Sequence, residues 1–118
     1  MAYVDVFLIP VPKAKLADYE KMSPAFAGVL KANGASNYVE YFGDDVPMGE
    51  VTSFPRAVQA KDDEVIVIGW ATYPNKSVRD AANEKMRSDP NMQNMEMPFD
   101  GKRMIFGGFE VLYDTASQ

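Results

Sequence analysis

The stretch from residue 65 to residue 71, Val-Ile-Val-Ile-Gly-Trp-Ala, constrains the fold more than any other part of the 118-residue chain. Its β-branched and aromatic residues predict a strand over 65–73. Successive side chains of a strand point to opposite faces of the sheet, so this strand places apolar side chains on both faces. Residues 3–9 predict a first strand with the same property. A sheet built on these two strands therefore needs a cover on each face.

Two amphipathic segments are available to cover one of these faces. Residues 13–33 predict a first helix, because apolar side chains recur there at spacings of three, four and seven. Pro24 lies inside this segment and indicates a kink or a break near residues 20–23. Residues 75–88 predict a second helix. Its inward-facing residues are expected to be Val78, Ala81, Ala82 and Met86.

Two further strands, over 35–42 and 103–113, complete the order β-α-β-β-α-β. This is the split order of the ferredoxin-like α+β fold, an antiparallel sheet with two helices on one face. The long connection 43–64 between the second and third strands is functional or hides structure, and 56–60 is a candidate for a short extra strand. We expect the whole chain, 1–118, to form a single domain of this type.

The second face of the predicted sheet is apolar and has no helix to cover it. An antiparallel sheet with one face in water should alternate apolar and polar residues, and the first and third strands do not. The simplest cover is the same face of a second copy. The sequence therefore predicts a homodimer that joins through its sheet face, as a dimeric α/β barrel.

The composition excludes several kinds of chemistry. There is no cysteine and no histidine, which excludes thiol catalysis, zinc–thiolate sites, serine triads, and metal or haem sites ligated by histidine. We therefore expect neither a resident metal nor a cofactor. The net charge of −5 and the lack of a basic stripe argue against a nucleic-acid partner. No apolar run approaches the ~20 residues that span a bilayer, and no signal peptide is evident, so a cytoplasmic protein is expected.

Several motifs, distributed over nearly the whole chain, occur together. They are Tyr-Val-Asp at 3–5, Gly-Asp-Asp-Val-Pro at 43–47, Thr-Ser-Phe-Pro-Arg-Ala-Val at 52–58, Tyr-Pro at 73–74, Met-Pro-Phe-Asp-Gly-Lys-Arg-Met at 97–104 and Ile-Phe-Gly-Gly-Phe-Glu-Val-Leu at 105–112. With these motifs the chain resembles the YbaA-like family, a bacterial group of unknown function.

That family is similar to the dimeric α/β-barrel superfamily, in which two ferredoxin-like protomers pack their sheets together. The resemblance implies the same fold and the same dimer as the pattern of apolar residues. The superfamily includes cofactor-independent monooxygenases, isomerases, dehydratases, stress-response proteins and haem enzymes. The fold alone does not choose among them.

Two of the acidic residues within predicted strands are candidates for a functional role. Asp5 has apolar neighbours, where an unpaired carboxylate is costly. It is a candidate catalytic base or substrate anchor with a raised pKa. It is equally open to a structural role, either as an ion-pair partner of Arg56 or Arg103 or as an exposed residue near the strand edge. Glu110 on the last strand is expected to lie close to Asp5 if these strands pair.

Other charged residues lie near the predicted strand ends. Asp44 and Asp45 could bind a hard cation or a substrate, or simply form a turn before Pro47. Arg103, a second catalytic candidate, and Arg56 could each clamp a ligand carboxylate or pair with Asp5, Asp44 or Asp45.

The predicted sheet is rich in aromatic residues and has two adjacent glycines. The aromatic residues could line a ligand pocket or form the dimer core, with Tyr38, Trp70 and Phe106 as candidate substrate-binding residues. Gly107 and Gly108 indicate a bulge, a bend, or close approach by a backbone or a ligand.

Two functions remain compatible with these residues. The first is a dimer that binds a small metabolite or has a stress-associated role without catalysis. The alternative is a cofactor-independent monooxygenase- or isomerase-like enzyme that acts on an aromatic compound in a cleft between sheet and helices. An open cleft that reaches Asp5 would favour the enzyme, and a packed interior with Asp5 in a salt bridge would exclude it.

Overall fold

The computed structural model describes residues 2–117. Its strands are β1 (Tyr3–Pro12), β2 (Asn37–Phe42), β3 (Glu64–Tyr73) and β4 (Ile105–Glu110). Its α-helices are α1 (Leu16–Ala32), α2 (Phe54–Ala57), α3 (Lys76–Ser88) and α4 (Pro90–Gln93). Short 3-10 turns span Lys13–Lys15, Gly101–Arg103 and Thr115–Ser117. In the described range no helix is long and apolar enough to cross a bilayer.

The four strands form one antiparallel sheet in the order β2-β3-β1-β4. This order confirms the ferredoxin-like α+β fold that the sequence predicts. The register sets Asp5 at the centre of the sheet, opposite Ala71 on β3 and Gly108 on β4. The sheet therefore fixes the backbone on both sides of this carboxylate.

The first strand is longer than predicted. It continues through Pro10 and Pro12 although proline lacks the N–H that a sheet needs. The pairing of β1 with β4 ends at Leu8, so beyond that residue β1 has β3 as its neighbour on one side. The prolines therefore occupy an edge, where a missing donor is tolerated.

The first helix is continuous, so of the kink or break predicted near residues 20–23 the break is wrong. Pro24 lies inside α1, and the Ser23 hydroxyl donates to the Tyr19 carbonyl at 3.1 Å instead of capping a new helix. Pro24 and Glu20, four residues earlier, are both exposed. Water can therefore satisfy the Glu20 carbonyl that Pro24 leaves without a donor, which lets the helix persist.

Two other segments differ from the predictions. Residues 54–57 form a helical turn rather than a strand, because Ser53 caps the Arg56 N–H at 3.1 Å and Pro55 favours the first turn. The last strand begins later and ends earlier than predicted. The turn at 101–103 occupies its start, and Glu110 already pairs with Tyr3, the first residue of β1.

The two faces of the sheet differ in their cover. On one face of the sheet, Ile9, Val11 and Val67 form a buried cluster with Tyr19 of α1. We call this face the helix side. A second buried cluster joins the sheet to α1 and α3. Its members are Leu30, Ala35, Ala71, Tyr73 and Ala82. Ala81, predicted to face inward, is exposed. Among the described residues no helix packs against the opposite face, which we call the open face.

Candidate functional site

A cavity of about 460 Å³ lies on the helix side of the sheet, between β1 and β4 on one side and α1 and α3 on the other. Its volume falls within the range of small-molecule sites. The lining is mostly apolar and includes the side chains of Met22, Met86, Met92, Met97 and Met104. Methionine is flexible and polarisable, so such a wall adapts to the shape of a ligand and favours aromatic rings.

One part of the cavity wall is polar, and Asp5 is its centre. The Nε of Arg79 donates to Asp5 Oδ1 at 2.8 Å, and about a fifth of each side chain is exposed. Within the described part of the chain the second carboxylate oxygen, Oδ2, accepts no hydrogen bond. The cleft is thus open as far as Asp5, and Asp5 is also in a salt bridge. The structure therefore shows together the open cleft that was expected to favour an enzyme and the Asp5 salt bridge that was expected to accompany a protein without catalysis.

Arg79 is held by further contacts. Its Nη1 donates a hydrogen bond to Asp80 Oδ1 at 2.8 Å. Asp80 Oδ2 also accepts a hydrogen bond from Lys76 Nζ at 2.9 Å. The guanidinium carbon lies 4.9 Å from the ring centre of Tyr3, a cation–π contact. Two cations and two carboxylates therefore form a chain that is neutral overall.

Gly108 leaves the space that this arrangement needs. A Cβ there would lie 2.7 Å or less from atoms of both Arg79 and Tyr3. Of the expected reasons for Gly107 and Gly108, close approach explains Gly108, although side chains approach it rather than a backbone or a ligand. The pairing of β4 with β1 is regular through both glycines, so the predicted bulge is wrong.

Tyr73, on β3, also lines the cavity. Its hydroxyl is buried and has no hydrogen-bond partner among the described residues. Burial raises the pKa of this phenol, the nearby Asp5 carboxylate raises it further, and Arg79 opposes the shift. The hydroxyl is therefore protonated at neutral pH and has an unused capacity to bond, which is costly in a folded protein.

A second polar group lies between α1 and β2. The Tyr19 hydroxyl, on the cavity wall, donates a short hydrogen bond to Glu40 Oε2. Burial raises the pKa of Tyr19, as does this bond. Burial likewise raises the pKa of Tyr38, with a further contribution from the charge of Glu40. The Tyr38 hydroxyl is buried near the Glu40 carboxylate, makes no hydrogen bond of normal geometry to a residue that the structure describes, and lies outside the cavity wall.

The two arginines that the sequence singled out lie elsewhere. Both Nη atoms of Arg103 donate to the carboxylate of Glu64 at 2.7 Å, and its Nε donates to Asp100 at 3.0 Å. Arg56 donates to the carbonyls of Met48 and Gly49. Both guanidinium groups thus hold the connection 43–64 in place, and neither lines the cavity.

The other candidates are dispersed. Phe106 lines the cavity, whereas Asp44 and Asp45 lie on the exposed loop after β2. Trp70 lies on the open face and packs against Tyr41 with ring centres 5.3 Å apart. Glu110 lies opposite Tyr3, so Gly108 rather than Glu110 is the neighbour of Asp5 on β4.

Two residues of the site were missed by the sequence predictions. Arg79 precedes the buried Ala82 by three residues and Met86 by seven, so helical spacing alone would have placed it on the inner face of α3. Tyr73 was read as an ordinary end of β3, and no sequence signal marks its hydroxyl as unpaired. Within residues 2–117 no three carboxylate side chains cluster closely enough to hold a metal ion.

Comparison with solved structures shows proteins of the same fold at low sequence identity. A dimeric ferredoxin-like protein from an uncultured marine organism has a TM-score of 0.56 at 9% identity, covering 97% of this chain and 98% of that one. SnoaB, a cofactor-independent oxygenase from Streptomyces nogalater, has 0.57 at 12% identity, covering 97% and 96%. Rv0793 from Mycobacterium tuberculosis has 0.58 at 11% identity, covering 98% and 99%. At these identities the likeness establishes the fold alone.

Sequence relatives are much nearer. The uncharacterized protein YbaA of Escherichia coli is 50% identical over 116 residues, which cover 97% of this chain and 99% of that protein. YbaA of Shigella flexneri matches equally well. Residues 2–101 match the family model described as a protein of unknown function, DUF1428. The chain therefore belongs to the DUF1428 family, as its resemblance to YbaA-like proteins implied.

Proposed function

We propose that this protein is a homodimer that binds a small aromatic metabolite in the cavity between the sheet and the helices. The observation that carries the proposal is the cavity itself, which is about 460 Å³ in volume, apolar over most of its wall and polar at Asp5, Tyr73, Arg79 and Asn83. An apolar cleft with a few convergent polar groups is the usual form of a small-molecule site.

The dimer is supported by the open face of the sheet. Apolar side chains from all four strands lie on it, and several are well exposed: Tyr41 at 49%, Trp70 at 38%, Ile105 at 42% and Phe109 at 57%. A continuous apolar patch of this kind marks an interface. The solved marine protein of the same fold is described as dimeric.

Adjacent residues of β2 provide a matched test of the dimer. Tyr41 pairs with Ile68 and points to the open face, whereas Phe42 pairs with Val67 and points to the helix side. We expect Tyr41→Glu to give a monomer in sedimentation velocity and Phe42→Glu to leave the dimer intact. The protein has a single tryptophan, Trp70, so its fluorescence should shift to longer wavelength in Tyr41→Glu. A wild type that is monomeric at all concentrations would refute the dimer.

Ligand binding is tested by a thermal-shift screen of aromatic hydrocarbons, phenols, quinones and aromatic acids. A compound that binds the folded protein alone raises the unfolding midpoint by an amount that grows with its concentration. Compounds of two or three fused rings fit a cavity of this size and should raise it. If compounds of every class leave the midpoint unchanged at their solubility limits, the proposal is wrong.

A second function, catalysis without a cofactor, is favoured by one observation. The open cleft reaches the carboxylate of Asp5, whose Oδ2 has no donor in the described part of the chain. A carboxylate in this position could take a proton from a bound substrate. The related fold of SnoaB serves a cofactor-independent oxygenase. Oxygen uptake with a compound that binds, lost in Asp5→Asn, would support catalysis.

A further inference from the structure

Two of the three guanidinium nitrogens of Arg79 already donate hydrogen bonds. Nε donates to Asp5 and Nη1 donates to Asp80, while the face of the guanidinium lies over the ring of Tyr3. The remaining nitrogen, Nη2, lies against Gly108. Bidentate binding of a carboxylate by arginine needs two adjacent free N–H groups on one edge of the guanidinium. Arg79 does not offer such an edge to the cavity.

The groups that remain available are an acceptor, an uncharged hydroxyl and the side-chain amide of Asn83, and none of them carries the positive charge that favours a carboxylate. Asp5 Oδ2 can accept hydrogen bonds, and its negative charge disfavours a second carboxylate beside it. Tyr73 lines the same cavity, and its hydroxyl is buried and lacks a partner among residues 2–117. A buried hydroxyl without a partner points to a ligand that supplies one.

The rest of the wall determines the body of the ligand. Thioether groups and the rings of Phe26, Phe99 and Phe106 line the remainder of the cavity. Sulfur–aromatic contacts favour a flat unsaturated ring system over an aliphatic chain of similar volume.

We infer that the site takes a neutral aromatic molecule whose polar group donates a hydrogen bond, as a phenol does, in preference to an aromatic carboxylate. The phenol hydroxyl donates to Asp5 Oδ2 and accepts from Tyr73. This inference rests on the proposed function, because it specifies the chemistry of the ligand in the same cavity.

Three probes of similar size test the polar group. 2-Naphthol donates a hydrogen bond, 2-methoxynaphthalene cannot donate one, and 2-naphthoate carries a negative charge. Calorimetric titration of the wild-type protein should give an affinity for 2-naphthol at least about tenfold above that for the methyl ether, since the donor is lost. 2-Naphthoate should bind more weakly still.

Two conservative variants test the position of the hydroxyl. Tyr73→Phe keeps the ring that packs against Leu30 and Ala82 but removes the hydroxyl. It should weaken 2-naphthol about threefold to tenfold. It should leave the affinity for 2-methoxynaphthalene unchanged and not lower the thermal midpoint of the unliganded protein. Tyr38→Phe removes a buried hydroxyl outside the cavity and should alter neither affinity.

The outcomes separate the inference from the proposed function. Equal affinity for 2-naphthol and its methyl ether, or tighter binding of 2-naphthoate, overturns the inference and leaves the binding function standing. An equal loss of 2-naphthol affinity in Tyr38→Phe and Tyr73→Phe also overturns it. If none of the three probes binds, the inference fails, whereas the proposed function fails only if the wider thermal-shift screen also finds no ligand.

Discussion

Substituting alanine for Gly69 tests how the helix side of the sheet is packed. Gly69 is buried in β3, and a Cβ there would lie 3.0 Å or less from three ring atoms of Phe7, namely Cζ, Cε1 and Cε2. The ring stacks on Tyr38 with centres 6.1 Å apart and meets the edge of Phe26 at 6.4 Å, so it can retreat from the new methyl group only towards the cavity that it also lines. The glycine is therefore a requirement of packing and not of backbone conformation.

The expected loss follows from two opposing effects. Overpacking of a filled core costs about 1–3 kcal/mol, while replacing glycine by alanine restricts the unfolded chain and contributes about 0.4–1 kcal/mol of stability. We expect Gly69→Ala to lower the free energy of unfolding by about 1–2 kcal/mol. At about 4 °C per kcal/mol for a chain of this length, the thermal midpoint should fall by about 4–8 °C.

The assay is thermal unfolding by circular dichroism at one fixed protein concentration, because association would make the midpoint depend on concentration. Gly28 in α1 is the control, since a Cβ there meets nothing within 4 Å. Gly28→Ala should raise stability by about 0.5–1 kcal/mol. In a Phe7→Leu background the Gly69→Ala cost should shrink. If Gly69→Ala is as stable as Gly28→Ala, the described packing is wrong.

Three further predictions concern the polar groups. Gly108→Ala should displace Arg79 from Asp5 and lower stability by about 1–3 kcal/mol, as measured by urea unfolding. Hydrogen bonds from Arg103 lower the pKa of Glu64, so its stabilising effect should be present above the ordinary value of 4.5 and be lost as the pH falls through the lowered pKa. The fall in midpoint over this range should be smaller in Glu64→Gln. Asn75 caps α3 by accepting from Val78 N at 2.9 Å, so Asn75→Ala should cost about 1 kcal/mol in urea and Asn75→Asp much less.

The fold was accessible from the sequence because its signals are local. The apolar runs of β1 and β3 and the helical spacing of α3 each depend on residues that are close in the chain. The predicted element boundaries were wrong where contacts between distant residues overrode a local sequence rule. Pro10 and Pro12 were read as the end of a strand, because nothing in the sequence shows that β4 stops pairing at Leu8.

The site was less accessible because its contacts join distant parts of the chain. Asp5 and Arg79 are 74 residues apart, and Arg103 and Glu64 are 39 apart. The sequence indicated that an unpaired Asp5 would be costly, but the predicted pairing with Arg56 or Arg103 is wrong, since Asp5 pairs with Arg79. Arg79 was not among the predicted site residues, because a charged residue on a short helix is typical of the solvent side.

Two features that lower the stability of the fold, the cavity and the unpartnered Tyr73 hydroxyl, lie close together. Together they argue for a ligand more strongly than the cavity does alone. An apolar cavity lowers stability because its walls lose packing contacts, and a buried hydroxyl without a partner lowers it because desolvation is not compensated. Phenylalanine at position 73 would remove the second cost with no change in ring packing. Tyr73 lies instead on the cavity wall near Asp5, so one molecule that fills the cavity and bonds to the hydroxyl would relieve both costs. The unliganded protein should therefore gain stability from Tyr73→Phe, and the liganded protein should lose it.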